Sequence, residues 1–208
     1  MKIYDLSPEI NENMVVYRDK PENKPRIRVV AMIKKGGIAN ESRLDLYAHT
    51  GSHVDAPFHF LDDGITIDRL GLDRFMGKAV VLDFTKVKNA ITKNILKNSK
   101  IKIQKNDIVL LKTINKPVKT YDCRFVFLEK SGAEYLASKK VKAVGLDSLS
   151  LDRDQPDYNT HKILLKNNMP IFEGLDLSKV KQGNYLFYGF PLKVKAEGSP
   201  LRAVLLKE

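Results

Sequence analysis

The sequence predicts an α/β fold, a single domain over residues 1–208 with a mixed β-sheet and few helices. Three observations carry this expectation. The 208 residues suit one hydrophobic core, short β-branched runs recur from end to end, and only three segments have helical spacing. The runs fall at 2–5 (KIYD), 13–17 (NMVVY), 27–33 (IRVVAMI), 43–48 (RLDLYA), 78–84 (KAVVLDF) and 107–112 (DIVLLK). Four more follow at 124–128 (RFVFL), 141–146 (VKAVGL), 184–190 (NYLFYGF) and 201–206 (LRAVLL), each bounded by Gly, Pro, Asn or Asp, and most read as strands. Helical spacing appears at 92–98, at 130–140 with Ala133, Leu136 and Ala137 on one face, and at 159–168 with Ile163 and Leu164 on one face. Hairpin-like spacing early and strand–helix–strand spacing from residue 107 onward give the mixed sheet. No internal repeat or linker stands out.

Composition removes several classes of function. With 43% hydrophobic and 29% charged residues the chain is neither disordered nor fibrous. One cysteine, Cys123, allows no internal disulfide and no cysteine-based zinc finger, which fits a reducing cytoplasm; beside Arg124 it reads as a half-buried strand residue. No apolar run reaches the ~18 to 20 residues of a membrane span, and Asp5 sits where a signal peptide needs its apolar stretch. A soluble, cytoplasmic protein with no membrane partner is expected.

The net charge of +11 invites a nucleic-acid reading. Its distribution argues against one: 27 lysines and 9 arginines are spread along the chain, and no aromatic residues interleave with them to stack bases. A solvated lysine-rich surface explains the charge, so the expected partner is a small-molecule substrate and no nucleic acid.

Three of the four histidines fall in one eleven-residue segment, His49-Thr-Gly-Ser-His53-Val-Asp55-Ala-Pro-Phe-His59. Gly51 and Pro57 make a helix improbable there. In an extended chain positions 49, 51, 53, 55, 57 and 59 share a face, so three imidazoles and a carboxylate point together. Straight extension would put the α-carbons of His49 and His53 ~13 Å apart, near the limit for sharing one ion, so a bend is required and Gly51 is where the chain can supply it. Singly, each His reads as an ordinary polar residue at a turn. Together they read as ligands for a divalent transition metal, zinc first and manganese next, with one position left open as in catalytic sites.

This segment matches H-x-G-T-H-x-D-x-P-x-H, the signature of the cyclase family of metal-dependent hydrolases, with Ser52 in place of the usual Thr. The chain resembles the bacterial kynurenine formamidases of that family and, more distantly, isatin hydrolases. Gly145-Leu-Asp-Ser-Leu-Ser-Leu-Asp152, then His161, then Pro170-Ile-Phe-Glu173-Gly-Leu resembles the family's C-terminal signature. Taken alone, His161 reads as a core or surface helix residue and Glu173 as a solvated acid. The resemblance runs from about Tyr4 to the end of the chain and is weakest across 85–125.

The resemblance implies a swivelling β/β/α-like fold and a homo-oligomer, dimer or tetramer. It also implies one or two metal ions, with Asp55 as a bridging ligand, His49 and His53 at the first site, and His161 and Glu173 at the second. His59 matches a catalytic acid/base, and Tyr17 matches an aromatic position that lines the substrate pocket, although the proline and glycine that usually flank it are absent. The function implied is metal-dependent hydrolysis of a small amide, an aryl formamide such as N-formylkynurenine or a cyclic amide. A non-catalytic metal-binding protein and a basic nucleic-acid-binding module are the alternatives from other classes. Asp147 reads as a cap of the loop 148–150 or as an acid behind the site, and Asp152, Asp154 and Asp157 as loop residues.

Overall fold

A computed structural model describes residues 1–114, 121–153 and 155–207; Asp154 lies outside the described residues. A nine-stranded mixed sheet organises the molecule. Its centre is four parallel strands, β5 (Met76–Asp83), β7 (Ile108–Lys112), β9 (Ala143–Leu146) and β10 (Ile171–Glu173). On the β5 side the antiparallel strands β11 (Gly183–Tyr188), β13 (Val204–Lys207) and β1 (Lys2–Asp5) extend it. On the β10 side β4 (His53–Asp55) and β12 (Gly198–Pro200) pair antiparallel.

The parallel centre explains why the sequence shows continuous apolar runs there: helix crossovers cover a parallel sheet, so both faces are buried. In β7, Ile108 and Leu110 enter one core with Val54, Val81 and Phe172, while Val109 and Leu111 enter a second with Val80, Val144 and Ile171. The second core is closed by α1 (Lys93–Lys97), α2 (Lys130–Ser138) and α3 (Asn159–Lys166), through Leu96, Ala133, Leu136, Leu164 and Leu165. Each large side chain buried this way contributes about 1.5 to 3 kcal/mol.

The three helices fall where the spacing puts them, and most strands do as well. Residues 13–17 differ. They form no strand; the chain turns and enters a single 3-10 turn, Tyr17–Asp19, with Arg18 and Asp19 at φ 58° and 48°. Left-handed residues cannot continue an extended strand, and no neighbouring strand pairs with this segment among the described residues. Cys123 is exposed in a turn rather than half-buried in a strand. Asp122 folds back there to accept hydrogen bonds from Arg124 Nε and Nη2, both at 2.9 Å. Of the run 124–128 only β8 (Phe127–Leu128) is strand, and two short elements lacked enough residues for a periodic signal: β6 (Ala90–Ile91), which pairs parallel with β8, and β12, whose Pro200 sits on the sheet edge. Among the described residues the strands β2 (Arg26–Ala31) and β3 (Glu41–Asp45) pair only with each other. No helix among the described residues is long and apolar enough to cross a membrane.

Candidate metal centre

The histidine segment is extended only over β4. There the period of two holds: Val54 enters one core while His53 and Asp55 face the helix side of the sheet. His49 and His59 reach the same place by other means than one long strand. Gly51 turns the chain with φ +63° between His49 and β4, and a 3-10 turn, Pro57–His59, returns His59 toward His49. Their ring centroids lie 4.2 Å apart.

Glu173 arrives by sheet register, since it stands opposite His53 on β10. His161 arrives from the first turn of α3, whose N-terminal Thr160 N–H donates to Asp152 Oδ2 at 3.2 Å. Asp55 divides its oxygens between these partners. Oδ1 lies 2.9 Å from His49 Nδ1 and 3.6 Å from His53 Nε2, and Oδ2 lies 3.7 Å from His161 Nε2. Glu173 Oε2 is 3.4 Å from His53 Nε2, and its Oε1 is 3.2 Å from His161 Nε2 and accepts the Leu151 N–H. Ligand atoms of His49, Asp55 and His59 lie within 4.8 Å of one another, as do those of His53, Asp55 and Glu173.

All six residues expected to serve the site are therefore brought together. Tyr17 joins all of them but the fully buried Asp55 on the wall of a cavity of about 360 Å³ that is also lined by Tyr47, Phe60, Tyr158, Arg18 and Lys20.

Two residues that the sequence reading did not assign to the site also touch it. Asp152, taken for a loop residue, is fully buried, and its Oδ2 lies 3.5 Å from His161 Nδ1. Glu197 has an oxygen 3.4 Å from His49 Nε2; it immediately precedes β12, the strand neighbouring β4, so no local spacing could point to it. Asp147 does not cap the loop 148–150. Its two oxygens accept from Thr113 N at 2.7 Å and Thr113 Oγ1 at 2.6 Å.

A protein-only network leaves this site unsatisfied. His53 Nδ1 lies 2.9 Å from the Gly51 carbonyl, which can only accept, so Nδ1 carries a proton. In the neutral ring Nε2 is then a lone pair, aimed at carboxylate oxygens that are lone pairs too. Nε2 of His53 and Oδ2 of Asp55 are both buried without a hydrogen-bond partner. Buried groups of this kind are rare unless something fills the gap, and imidazole nitrogens with carboxylate oxygens are the donor set of zinc, manganese and iron(II).

Charge points the same way. Burial pushes Asp55 upward, but the imidazoles of His59, His49 and His53 outweigh it and hold the carboxylate far below its usual range. Burial opposes charge on His49 and His161 as well. Asp55 and Glu197 nevertheless raise His49 to about 10, and Asp152 and Glu173 raise His161 to about 10. A pocket that draws protons onto two buried imidazoles offers the same field to a divalent cation. His59 goes the other way: burial, then its neighbours His49 and His161, lower it against the pull of Asp55.

The chain matches the model of the cyclase family, described as "Putative cyclase", over residues 4–153. It belongs to the cyclase family. Cyclase-like protein 2 of Arabidopsis thaliana is 36% identical over 219 residues, covering 99% of this chain and 79% of the relative. Two solved cyclase-fold structures are each 36% identical to it. One, described as a "potential metal-dependent hydrolase with cyclase activity", superposes with TM-score 0.89 over 98% of this chain and 96% of its own. The other, described as a "predicted metal-dependent hydrolase from Bacillus stearothermophilus", superposes with TM-score 0.87 over 98% and 97%. Isatin hydrolase A of Labrenzia aggregata, at 21% identity, shares the fold with TM-score 0.87 over 100% of this chain and 94% of its own.

Proposed function

We propose that this cyclase-family chain is a metal-dependent hydrolase of small amides, with an aryl formamide such as N-formylkynurenine or a cyclic amide as substrate. The observation that carries the reading is the unpartnered pair, His53 Nε2 and Asp55 Oδ2, buried inside a ring of ligand-type side chains. The descriptions of the 36%-identical structures support the same reaction class.

His49, His53, Asp55, His161 and Glu173 would hold the metal, zinc or manganese, with Asp55 placed between two groups of ligands through its separate oxygens. Such an ion supplies Lewis-acid polarisation of a carbonyl and lowers the pKa of water it binds. The remaining steps are the work of side chains. His59, which burial biases toward its neutral form, accepts a proton at its ring nitrogen and returns it to the leaving nitrogen of the amide. Asp152 beside Nδ1 of His161 and the Gly51 carbonyl beside Nδ1 of His53 fix both rings so that Nε2 faces the centre. Tyr17, Tyr47, Phe60 and Tyr158 offer flat apolar surface to an aromatic substrate and exclude water from the cleft.

The test is turnover of a panel of formyl-aryl amides, isatin-like lactams and lactones by zinc-loaded and manganese-loaded protein, with metal content measured alongside. Hydrolysis of an amide that stops on chelation is the expected result. A metal-loaded protein that hydrolyses none of the panel would instead be a metal-binding protein without this activity.

A further inference from the structure

His49 is held differently from the other imidazoles of the metal centre. His53 and His161 turn Nε2 to the carboxylates of the centre and Nδ1 outward, to the Gly51 carbonyl at 2.9 Å and to Asp152 Oδ2 at 3.5 Å. His49 is reversed: Nδ1 lies 2.9 Å from Asp55 Oδ1, and Nε2 faces Glu197 Oε1 at 3.4 Å. Each of these rings therefore has an acceptor at its outer nitrogen, and for His49 that acceptor is Glu197.

The fold builds a seat for the His49 ring from Glu197 and Gly198. β12 pairs with β4 so that Gly198 stands opposite Asp55, and the Ala56 N–H donates to the Glu197 carbonyl at 2.8 Å. The register that fixes Asp55 thereby fixes Glu197 as well. Gly198 lets the ring come close, since a β-carbon there would lie 3.1 Å from His49 Cε1 and 2.9 Å from the Val54 carbonyl oxygen. His59 and Tyr47 pack against the same ring, with centroids 4.2 and 5.2 Å away. In this seat Nε2 is buried and makes no hydrogen bond, a state that buried polar atoms rarely keep. The Glu197 side chain is 34% exposed, so its carboxylate has room to turn and close the gap to hydrogen-bond length.

A neutral imidazole carries one proton. When Nδ1 gives its lone pair to a cation shared with Asp55, that proton sits on Nε2, where Glu197 accepts it. An outer acceptor of this kind fixes the tautomer, orients the ring and makes the ligating nitrogen more basic. We propose that Glu197 is the positioning residue of His49, keeping the proton on Nε2 so that Nδ1 serves the metal, the reverse of His53 and His161. The inference rests on the metal-binding part of the hydrolase reading and on none of its reaction steps. Glu197 is not itself a ligand in this arrangement, because it meets the ring at the nitrogen that does not face Asp55.

Zinc affinity, measured at one fixed pH by competition with a chelator of known affinity, should fall about 10- to 100-fold in Glu197→Ala. Glu197→Gln keeps an oxygen that accepts from Nε2, so it should recover part of that loss. Both variants should bind as many ions per chain as the wild type. The chain has only four histidines, so their ring signals can be assigned one by one. Nitrogen–proton correlation spectra of the zinc-loaded protein should place the proton of His49 on Nε2 and those of His53 and His161 on Nδ1. In Glu197→Ala the Nε2 proton of His49 should exchange with water faster than in the wild type. A proton on Nδ1 of His49, wild-type affinity in Glu197→Ala, or a Gln variant as weak as the Ala variant would each overturn the proposal. Loss of a whole ion from Glu197→Ala would overturn it too, by making Glu197 a ligand. None of these measurements reads turnover: a protein that shows the expected affinities and spectra but hydrolyses no amide keeps the proposal and loses the hydrolase reading, whereas a protein that takes up no metal loses both.

Discussion

His53 and Glu173, far apart in sequence, stand opposite each other in the β4–β10 register, with His53 Nε2 and Glu173 Oε2 3.4 Å apart. An antiparallel pair this close fixes the separation of two side chains more tightly than any loop can, because ladder hydrogen bonds lock both backbones. The same pairing turns Val54 and Phe172 into the opposite core. Burial of that core and geometry of the metal centre therefore depend on one register, and a one-residue slip would destroy both.

His53 and His59 should separate metal binding from proton transfer. His53→Ala is expected to lose metal and activity together, since its Nε2 faces Asp55 and Glu173 at 3.6 and 3.4 Å. His59→Ala is expected to keep its metal and lose about 10² to 10⁴ in turnover, the usual contribution of a positioned acid/base. His59 also lies within ligand distance of His49 and Asp55, so metal content decides: a metal-free His59→Ala protein would make His59 a ligand.

Asp152 should act on the metal through His161. Asp152→Asn keeps an acceptor for the Thr160 N–H that starts α3, so the helix should survive. It removes the negative charge beside His161 Nδ1, and such partners are worth about 10- to 100-fold in metal affinity. Competition with a chelator of known affinity measures the loss, while unchanged circular dichroism excludes a folding defect. Equal affinity in the variant and wild type would show that Asp152 serves only the helix.

Spacing revealed the local part of this centre, His161 and Glu173 were legible through the family resemblance alone, and Asp152 and Glu197 were not legible at all. His49, His53, Asp55 and His59 are legible because one short segment holds them, and Gly51 bends that segment as the separation of His49 and His53 demands. The manner of return was not legible: period two covers only β4, and a 3-10 turn brings His59 back. Asp152 and Glu197 reach the site through tertiary placement, one ahead of a helix and the other beside a three-residue edge strand. Neither placement produces a periodic pattern. For the sheet, long buried strands announced themselves by apolar content, whereas the 13–17 run is comparably apolar and pairs with no strand among the described residues, since apolar content signals burial and not a strand partner.

Asp147 should tilt the stability of the protein with pH. Burial, against the hydrogen bonds from Thr113, pushes its carboxyl from an ordinary 3.8 up to about 7. The folded state thus holds the proton more tightly than the unfolded state. Its contribution is present at low pH and lost as pH rises from about 4 to about 7, by about 1.4 kcal/mol for each pH unit and about 4 kcal/mol at most. Asp147→Asn can still accept from Thr113 N and can donate to Thr113 Oγ1, without ionising. Urea midpoints at pH 5 and pH 8 should fall for the wild type relative to the variant, and parallel profiles would remove Asp147 as the source.

Gly174→Ala should damage fold and site at once. Gly174 follows Glu173 with φ +64°, a conformation that costs another residue about 1 to 2 kcal/mol. A β-carbon there would lie 2.4 Å from the Gly51 carbonyl oxygen, and both groups are backbone, so neither can swing aside. The contact is also tied down: Ser52 Oγ donates to the Gly174 carbonyl at 2.8 Å, and the Gly174 N–H donates to Ser148 O at 2.7 Å. Relief must come from moving β10 away from the Gly51–Ser52 turn, which carries Glu173 away from His53. The expected outcome is a stability loss of about 3 kcal/mol or more by urea unfolding, with weaker metal binding in the fraction that remains folded. Ser52→Ala, which deletes one of the hydrogen bonds and adds no atom, should cost only about 1 kcal/mol and leave metal affinity near the wild-type value. If Gly174→Ala were as mild as Ser52→Ala, close approach of these two backbones would not be what holds Glu173 opposite His53.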